Sequence, residues 1–231
     1  MSRALIFDFN GVIADDERPH VECFKKALSE FGLSLSTEEY YGDYSGMDER
    51  MCAALLLSAR DGTSDPRIVN EITRRKMELF RAHTARHRPA LFPGVAEFVK
   101  SAVHRFRLAI ASGGRRRQID EALAGTLIEH DFDMIVAAED CLIGKPDPAI
   151  YRMTLTRLNA RRPVRPALLP SDCLVFEDSV AGIRAARGAG MKVIGVATTY
   201  PAEKLREADA VLPTFVGTDP DGVVRLIATM G

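Results

Sequence analysis

Asp8, Ser112, Lys145 and the pair Glu177-Asp178 each stand at or soon after the end of a short apolar run. Their types suit one chemistry. A carboxylate such as Asp8 attacks phosphorus only when the phosphoryl charge is neutralised. Lys145 brings one positive charge, and a hard divalent cation held by Asp8 and Asp178 would bring more. Ser112, with the backbone N–H groups of Gly113-Gly114, offers neutral donors to phosphoryl oxygens. The oxygen ligands favour Mg²⁺ over Zn²⁺. Taken singly each residue is ordinary, because an Asp at a strand end often caps a helix and a loop Lys is usually solvated. Their conjunction describes a phosphate site with a nucleophile.

The runs that position these residues are Ala4 to Phe7, Leu108 to Ala111, Met134 to Ala137, Cys173 to Phe176 and Val193 to Val196, with Ala210 to Leu212 as a weaker sixth. Continuous rather than alternating apolarity suits strands covered on both faces. Between the later runs, Val95 to Val103, Gln118 to Leu127, Pro148 to Leu158 and Val180 to Arg187 carry apolar residues at helical spacing. Alternating strand and helix predicts an α/β fold with a doubly wound parallel sheet, whose ligands gather at the carboxyl ends of the strands.

Between the first two runs the rhythm breaks, with helical periodicity and hardly any strand signal. This predicts an inserted helical domain over 16–89 within an α/β core of 1–15 and 90–231. Its expected helices cover Val21 to Phe31, Asp48 to Ser58 and Arg67 to Thr84, the last entered through Asp65-Pro66. Pro89 and Phe92-Pro93-Gly94 mark the return to the core. The loop Asn159 to Ser171, rich in Pro and Arg, reads as a surface connector.

The chain holds 31 basic and 32 acidic residues, a formal net charge of -1, so no global field draws it to nucleic acid or anionic membrane. The expected partner is a small phosphorylated metabolite, with the chain a monomer or weak homodimer. Cys23, Cys52, Cys141 and Cys173 are far apart and read as reduced apolar residues. No apolar run is long enough for a bilayer and no signal-peptide layout opens the chain, so the expected address is cytoplasmic.

The strings Leu5-Ile6-Phe7-Asp8-Phe9-Asn10-Gly11-Val12, Ile110-Ala111-Ser112, Gly144-Lys145-Pro146-Asp147-Pro148 and Phe176-Glu177-Asp178-Ser179-Val180-Ala181-Gly182-Ile183 resemble, in order and spacing, the four motifs of the haloacid dehalogenase superfamily. The segment Ala185-Ala186-Arg187-Gly188-Ala189-Gly190-Met191 and the helical insertion are similar to its beta-phosphoglucomutase-like branch. The resemblance implies that Asp8 forms an aspartyl-phosphate and that Ser112 and Lys145 hold the transferring phosphoryl group. It implies that Asp178 ligates Mg²⁺ with Glu177 in or near its shell, and that the insertion is a mobile cap. Within the insertion, His20, the turn from Gly46 to Arg50, and Lys76 fall where this branch places substrate-facing residues; each charged one is equally compatible with a solvated helix surface.

One position departs from the resemblance. Where the family carries a second Asp, two residues after the nucleophile, this chain has Asn10. That Asp protonates the leaving group and then activates the attacking hydroxyl, a proton exchange that an amide cannot perform. The backbone carbonyl that the position lends to Mg²⁺ is unaffected. An engineered substitution, a natural change compensated by another acid, and a protein that binds without hydrolysing all remain open. Asp15, Asp16 and Glu17 are candidates for a surrogate base, or else cap the first helix of the insertion. Losing the acid costs a mutase twice, so phosphatase ranks above mutase, and dehalogenase lower still.

Overall fold

The computed structural model describes residues 3–44, 49–161 and 166–229. In chain order its elements are β1 (Ala4–Phe7), β2 (Ala14–Asp15), α1 (Glu17–Glu30), α2 (Thr37–Glu39, continuing into a π-type turn at Tyr40–Tyr44), α3 (Glu49–Asp61), α4 (Pro66–Thr84), β3 (Ala90–Leu91), α5 (Val95–Ala102), β4 (Arg107–Ala111), α6 (Arg116–Leu123), β5 (Met134–Val136), α7 (Ala149–Arg161), β6 (Cys173–Glu177), α8 (Val180–Gly188), β7 (Lys192–Val196), β8 (Ala210–Leu212) and α9 (Pro220–Thr229). Two compact units emerge, Met1–Asp15 with Ala90–Gly231, and Asp16–Pro89.

In the first unit six parallel strands run in the order β5-β4-β1-β6-β7-β8. Central β1 pairs Phe7 with Ile110 on one side and with Phe176 on the other. The period-2 alternation of a strand explains the unbroken apolar runs. Leu5, Phe7, Leu108, Ile110, Leu174 and Phe176 enter one core with α5, α6 and α9, whereas Ala4, Ile6, Ala109, Ala111, Cys173 and Val175 enter a second with α7 and α8. Phe7 stacks on Phe176 at a centroid distance of 4.8 Å. Each such fully buried side chain contributes about 1.5–3 kcal/mol of transfer free energy, so the strand ends are firmly set.

The chain leaves this unit through β2 and returns through β3, which pair antiparallel, Ala14 with Leu91 and Asp15 with Ala90. This ribbon was not expected, because two residues per strand carry no periodicity. The helix expected over Gln118 to Leu127 spans Arg116–Leu123 instead, and Gly125, at φ +72°, takes a left-handed conformation just beyond it. Helix α9 was also unforeseen; Asp219 accepts from the Gly222 N–H at its start, and Val223, Val224 and Ile227 enter the core.

The second unit is helical. Phe24, Ala27 and Leu28 of α1 pack with Cys52, Ala53 and Leu57 of α3 and with Val69 and Ile72 of α4. Asp65 caps α4 by accepting from the Arg67 N–H at 2.8 Å, ahead of Pro66 at the first helical position. No helix among the described residues is long and apolar enough to cross a membrane.

Candidate active site at the carboxyl edge of the sheet

The strand order puts β1 between β4 and β6, so the residues after these three strands converge on one edge. Asp8 extends the ladder by one bond, its N–H donating to the Phe176 carbonyl at 3.0 Å. The chain then turns tightly, with the N–H groups of Ile13 and Ala14 donating to the Phe9 carbonyl at 2.8 and 2.9 Å. Gly11 makes this turn at φ +76°, and a Cβ there would lie 2.0 Å from Asp178 Oδ2. Glycine thereby lets the first loop close onto the fourth.

Lys145 Nζ lies 2.9 Å from Asp8 Oδ1 and 2.6 Å from Glu177 Oε1. Glu177 is 0% exposed, and a buried carboxylate persists only when well paired. Its Oε1 also accepts from the Tyr151 hydroxyl at 2.6 Å, and its Oε2 accepts from the Ser179 N–H and hydroxyl at 3.3 and 3.1 Å. Helix α8 makes room for this group with Gly182, where a Cβ would meet the Glu177 carboxyl at 1.9 Å. Glu177 thus anchors Lys145 against Asp8.

Burial pushes the Asp8 carboxyl up to about 6, with Lys145 opposing and Glu177 reinforcing the rise. Burial would lower Lys145, but the adjoining Asp8 and Glu177 carboxylates override it and hold its ammonium above the ordinary lysine range. Burial, then the Glu177 charge, raises Tyr151 well above the phenol range and keeps it a donor.

Asp8, Glu177 and Asp178 each offer a carboxylate oxygen within 4.8 Å of the others. Mg²⁺ takes hard oxygen ligands at about 2.1 Å, and three clustered carboxylates with no His or Cys among them are a donor set of that type. Glu177 already holds four donors.

On the β4 side Ser112, 1% exposed, donates from Oγ to Asn10 Oδ1 at 3.4 Å and accepts from the Gly114 N–H at 3.0 Å. A Cβ on Gly114 would lie 2.9 Å from Asn10 Oδ1, while Gly113 is exposed with open space at its Cα. The first unit therefore brings together Asp8, Asn10, Ser112, Gly114, Lys145, Glu177 and Asp178. Sequence reasoning missed Tyr151, Ser179 and Gly182. Ser179 and Gly182 lie inside the fourth motif string and Tyr151 three residues beyond the third, the signal that could have flagged them.

In the helical unit, His20 Nδ1 lies 2.5 Å from Lys76 Nζ and 3.8 Å from Glu49 Oε1, and its Nε2 lies 3.5 Å from Asp16 Oδ2. Lys76 is 1% exposed, pairs with Glu49 and sits 5.2 Å over the Phe80 ring. Lys76 is thus no solvated surface charge. Asp16 occupies the N-cap position of α1 but makes no side-chain cap bond; its carboxylate faces His20. Arg50 is exposed on α3. Gly46 lies outside the described residues.

Comparison with known proteins agrees with this geometry. Residues 5–196 match the haloacid dehalogenase-like hydrolase family. The chain is 33% identical over 218 residues, 90% of its length and 92% of the relative's, to a phosphorylated carbohydrates phosphatase of Thermotoga maritima. It superposes on CbbY of Rhodobacter sphaeroides, crystallised as an Asp-to-Asn mutant in complex with xylulose-(1,5)bisphosphate, with a TM-score of 0.76 and 29% identity, covering 93% of this chain and 95% of that one. The fold is likewise that of a beta-phosphoglucomutase from Clostridium difficile, at a TM-score of 0.79 and 22% identity over 99% and 98% of the two chains. With its motifs, sheet order and relatives in accord, the chain belongs to the haloacid dehalogenase-like hydrolases.

Proposed function

We propose that the chain is a phosphatase fold that binds a phosphorylated sugar and Mg²⁺ at this edge, with Asp8 as the nucleophile and Asn10 in place of the proton-exchanging group. The carrying observation is the placement of Lys145 between Asp8 and the fully paired Glu177. A cation held by Asp8, Asp178 and the Asn10 carbonyl would neutralise phosphoryl charge. Lys145 and Ser112 would bind the remaining phosphoryl oxygens and align phosphorus with an Asp8 oxygen. As the Asp8 O–P bond forms, the ester P–O bond breaks and the leaving alkoxide takes a proton. Asn10 has none to give, so that proton must come from solvent or another acid. Water then attacks phosphorus and returns Asp8 to its carboxylate.

The sugar class is supported by the Thermotoga relative, and a second phosphate by the bisphosphate in the CbbY complex. Arg115 supports it further. Arg116 and Arg117 pair with Asp120 and Glu121 one turn along, whereas Arg115, directly after Gly114, pairs with no carboxylate among the described residues. We assign sugar recognition to the helical unit acting as a cap, through His20, Arg50 and Lys76.

Asn10 also favours a second reading, a phosphosugar-binding protein with vestigial turnover. Sugar mono- and bisphosphates assayed with Mg²⁺ for this chain and for Asn10→Asp separate the two. A rise of roughly 10²-fold or more on restoring the acid marks a hydrolase lacking one part. Tight binding without turnover in either version replaces the enzyme reading with the binding one.

A further inference from the structure

A cavity of about 620 Å³ opens at the amino edge of the same sheet, a volume typical of small-molecule sites. Arg3 precedes β1 and Asp8 follows it, so about 16 Å of strand separates this cavity from the carboxyl edge. Its base is fixed. Arg3 donates to the Pro166 and Ala167 carbonyls at 3.1 and 3.0 Å and to Asp172 at 2.8 Å. Arg107 pairs with Asp133 at 2.8 Å, and Asp131, the other acid of the wall, pairs with Lys100 at 2.9 Å.

The acids lining the cavity are therefore already matched by cations. Arg161, His104 and His130 also line it, and the side chains of these three make no hydrogen bond or ion pair among the described residues. They come from three separate places, the end of α7, the loop after α5 and the loop before β5. Donors spread over three places around one cavity match an anion with several charges along its length better than a single compact one. Half-buried Phe106 and Phe132 supply an apolar wall beside them.

We propose that this cavity binds a polyphosphate, either inorganic or carried on a nucleoside. Its surplus of unpaired donors supplies charge-assisted hydrogen bonds to phosphate oxygens, and it is independent of the chemistry at Asp8. The test is calorimetric titration with tripolyphosphate and, separately, with ATP, in EDTA so that no divalent cation recruits either probe to the carboxyl edge. Wild-type chain is compared with Arg161→Ser, with His104→Ala/His130→Ala, and with Lys145→Met as the control for the other edge. The three cavity side chains are exposed, so unchanged melting temperatures are expected of those variants. Binding should weaken tenfold or more in each cavity variant and stay the same in Lys145→Met. Tighter binding of ATP than of tripolyphosphate assigns the nucleoside to the Phe106 and Phe132 wall, and equal affinity assigns the inorganic form. No binding by the wild-type chain, affinity unchanged in both cavity variants, or loss confined to Lys145→Met overturns the proposal.

Discussion

Substituting Gly182 by Ala tests whether Glu177 truly anchors the site. The added methyl would begin 1.9 Å from the Glu177 carboxyl carbon and Oε1, so about 1.5 Å of movement is needed to restore van der Waals contact. A solvated glutamate would move at little cost. This one is 0% exposed and holds four donors, with Lys145 and Tyr151 each at 2.6 Å. A shift of that size lengthens both of the shorter bonds beyond hydrogen-bonding range. Overpacking costs about 1–3 kcal/mol and loosening a buried charge pair about 3–5 kcal/mol if complete, while Ala in place of Gly in α8 returns up to about 1 kcal/mol. The expected net loss is about 3–8 kcal/mol, or a melting temperature lower by at least roughly 6 °C for a chain of this size. With Lys145 no longer held against Asp8, affinity for inorganic phosphate with Mg²⁺ should fall at least tenfold. Thermal unfolding and calorimetry read the two effects separately. Adding Glu177→Asp, one methylene shorter, should recover part of the stability. A Gly182→Ala chain with wild-type melting and phosphate affinity would refute the anchoring argument.

Removing Asp178 takes one of three clustered carboxylates from the cation site, so Asp178→Ala should bind Mg²⁺ at least tenfold more weakly; equal affinity by calorimetry would count against the metal assignment. In the helical unit, burial raises Glu49 but Lys76 and His20 override it, bringing it from 4.5 down to about 2. A depressed carboxylate contributes stability that is present above its unfolded value and lost as pH falls through the folded one. Partial exposure of Glu49 screens the effect to on the order of 1–3 kcal/mol. Glu49→Gln should therefore lower stability at neutral pH and flatten its decline between about pH 4.5 and 2 in urea titrations; an unchanged acid slope would sink this account. Gly11→Ala combines a positive φ with a Cβ 2.0 Å from Asp178 Oδ2, and should lose both stability and Mg²⁺ affinity.

Much of this arrangement was legible because strand burial on two faces writes itself as unbroken apolar runs, and each run ends on the residue that the edge then presents. Asp8, Ser112 and Glu177 could be read that way. Tyr151 could not, since it is one apolar-face residue of α7 among several, and only the packing of α7 against β4 and β5 brings its hydroxyl to Glu177. Gly182 was equally silent, as a helix glycine declares nothing about the side chain it accommodates. Elements of two residues, such as β2 and β3, fall below any periodic signal. In the helical unit the same limit works in the opposite direction. Lys76 and Glu49 look like ordinary surface charges in sequence, yet α1, α3 and α4 bring them to His20.

Asn10 is legible only as a departure, and its surroundings sharpen what that departure does. Its amide oxygen accepts from Ser112 and lies over Gly114, where a carboxylate of the same shape would add a negative charge beside the phosphate donors. The amide keeps the shape and drops both that charge and the exchangeable proton. Repulsion toward an incoming phosphate therefore falls in the same step that removes acid catalysis, so ground-state binding should hold or strengthen while turnover falls. The pair Asn10 and Asn10→Asp should accordingly separate in opposite directions, the amide binding inorganic phosphate at least as tightly and the acid turning over faster. If Asn10→Asp gained in both, the amide would be a defect in the whole site; if it gained in neither, proton exchange would reside elsewhere in the chain.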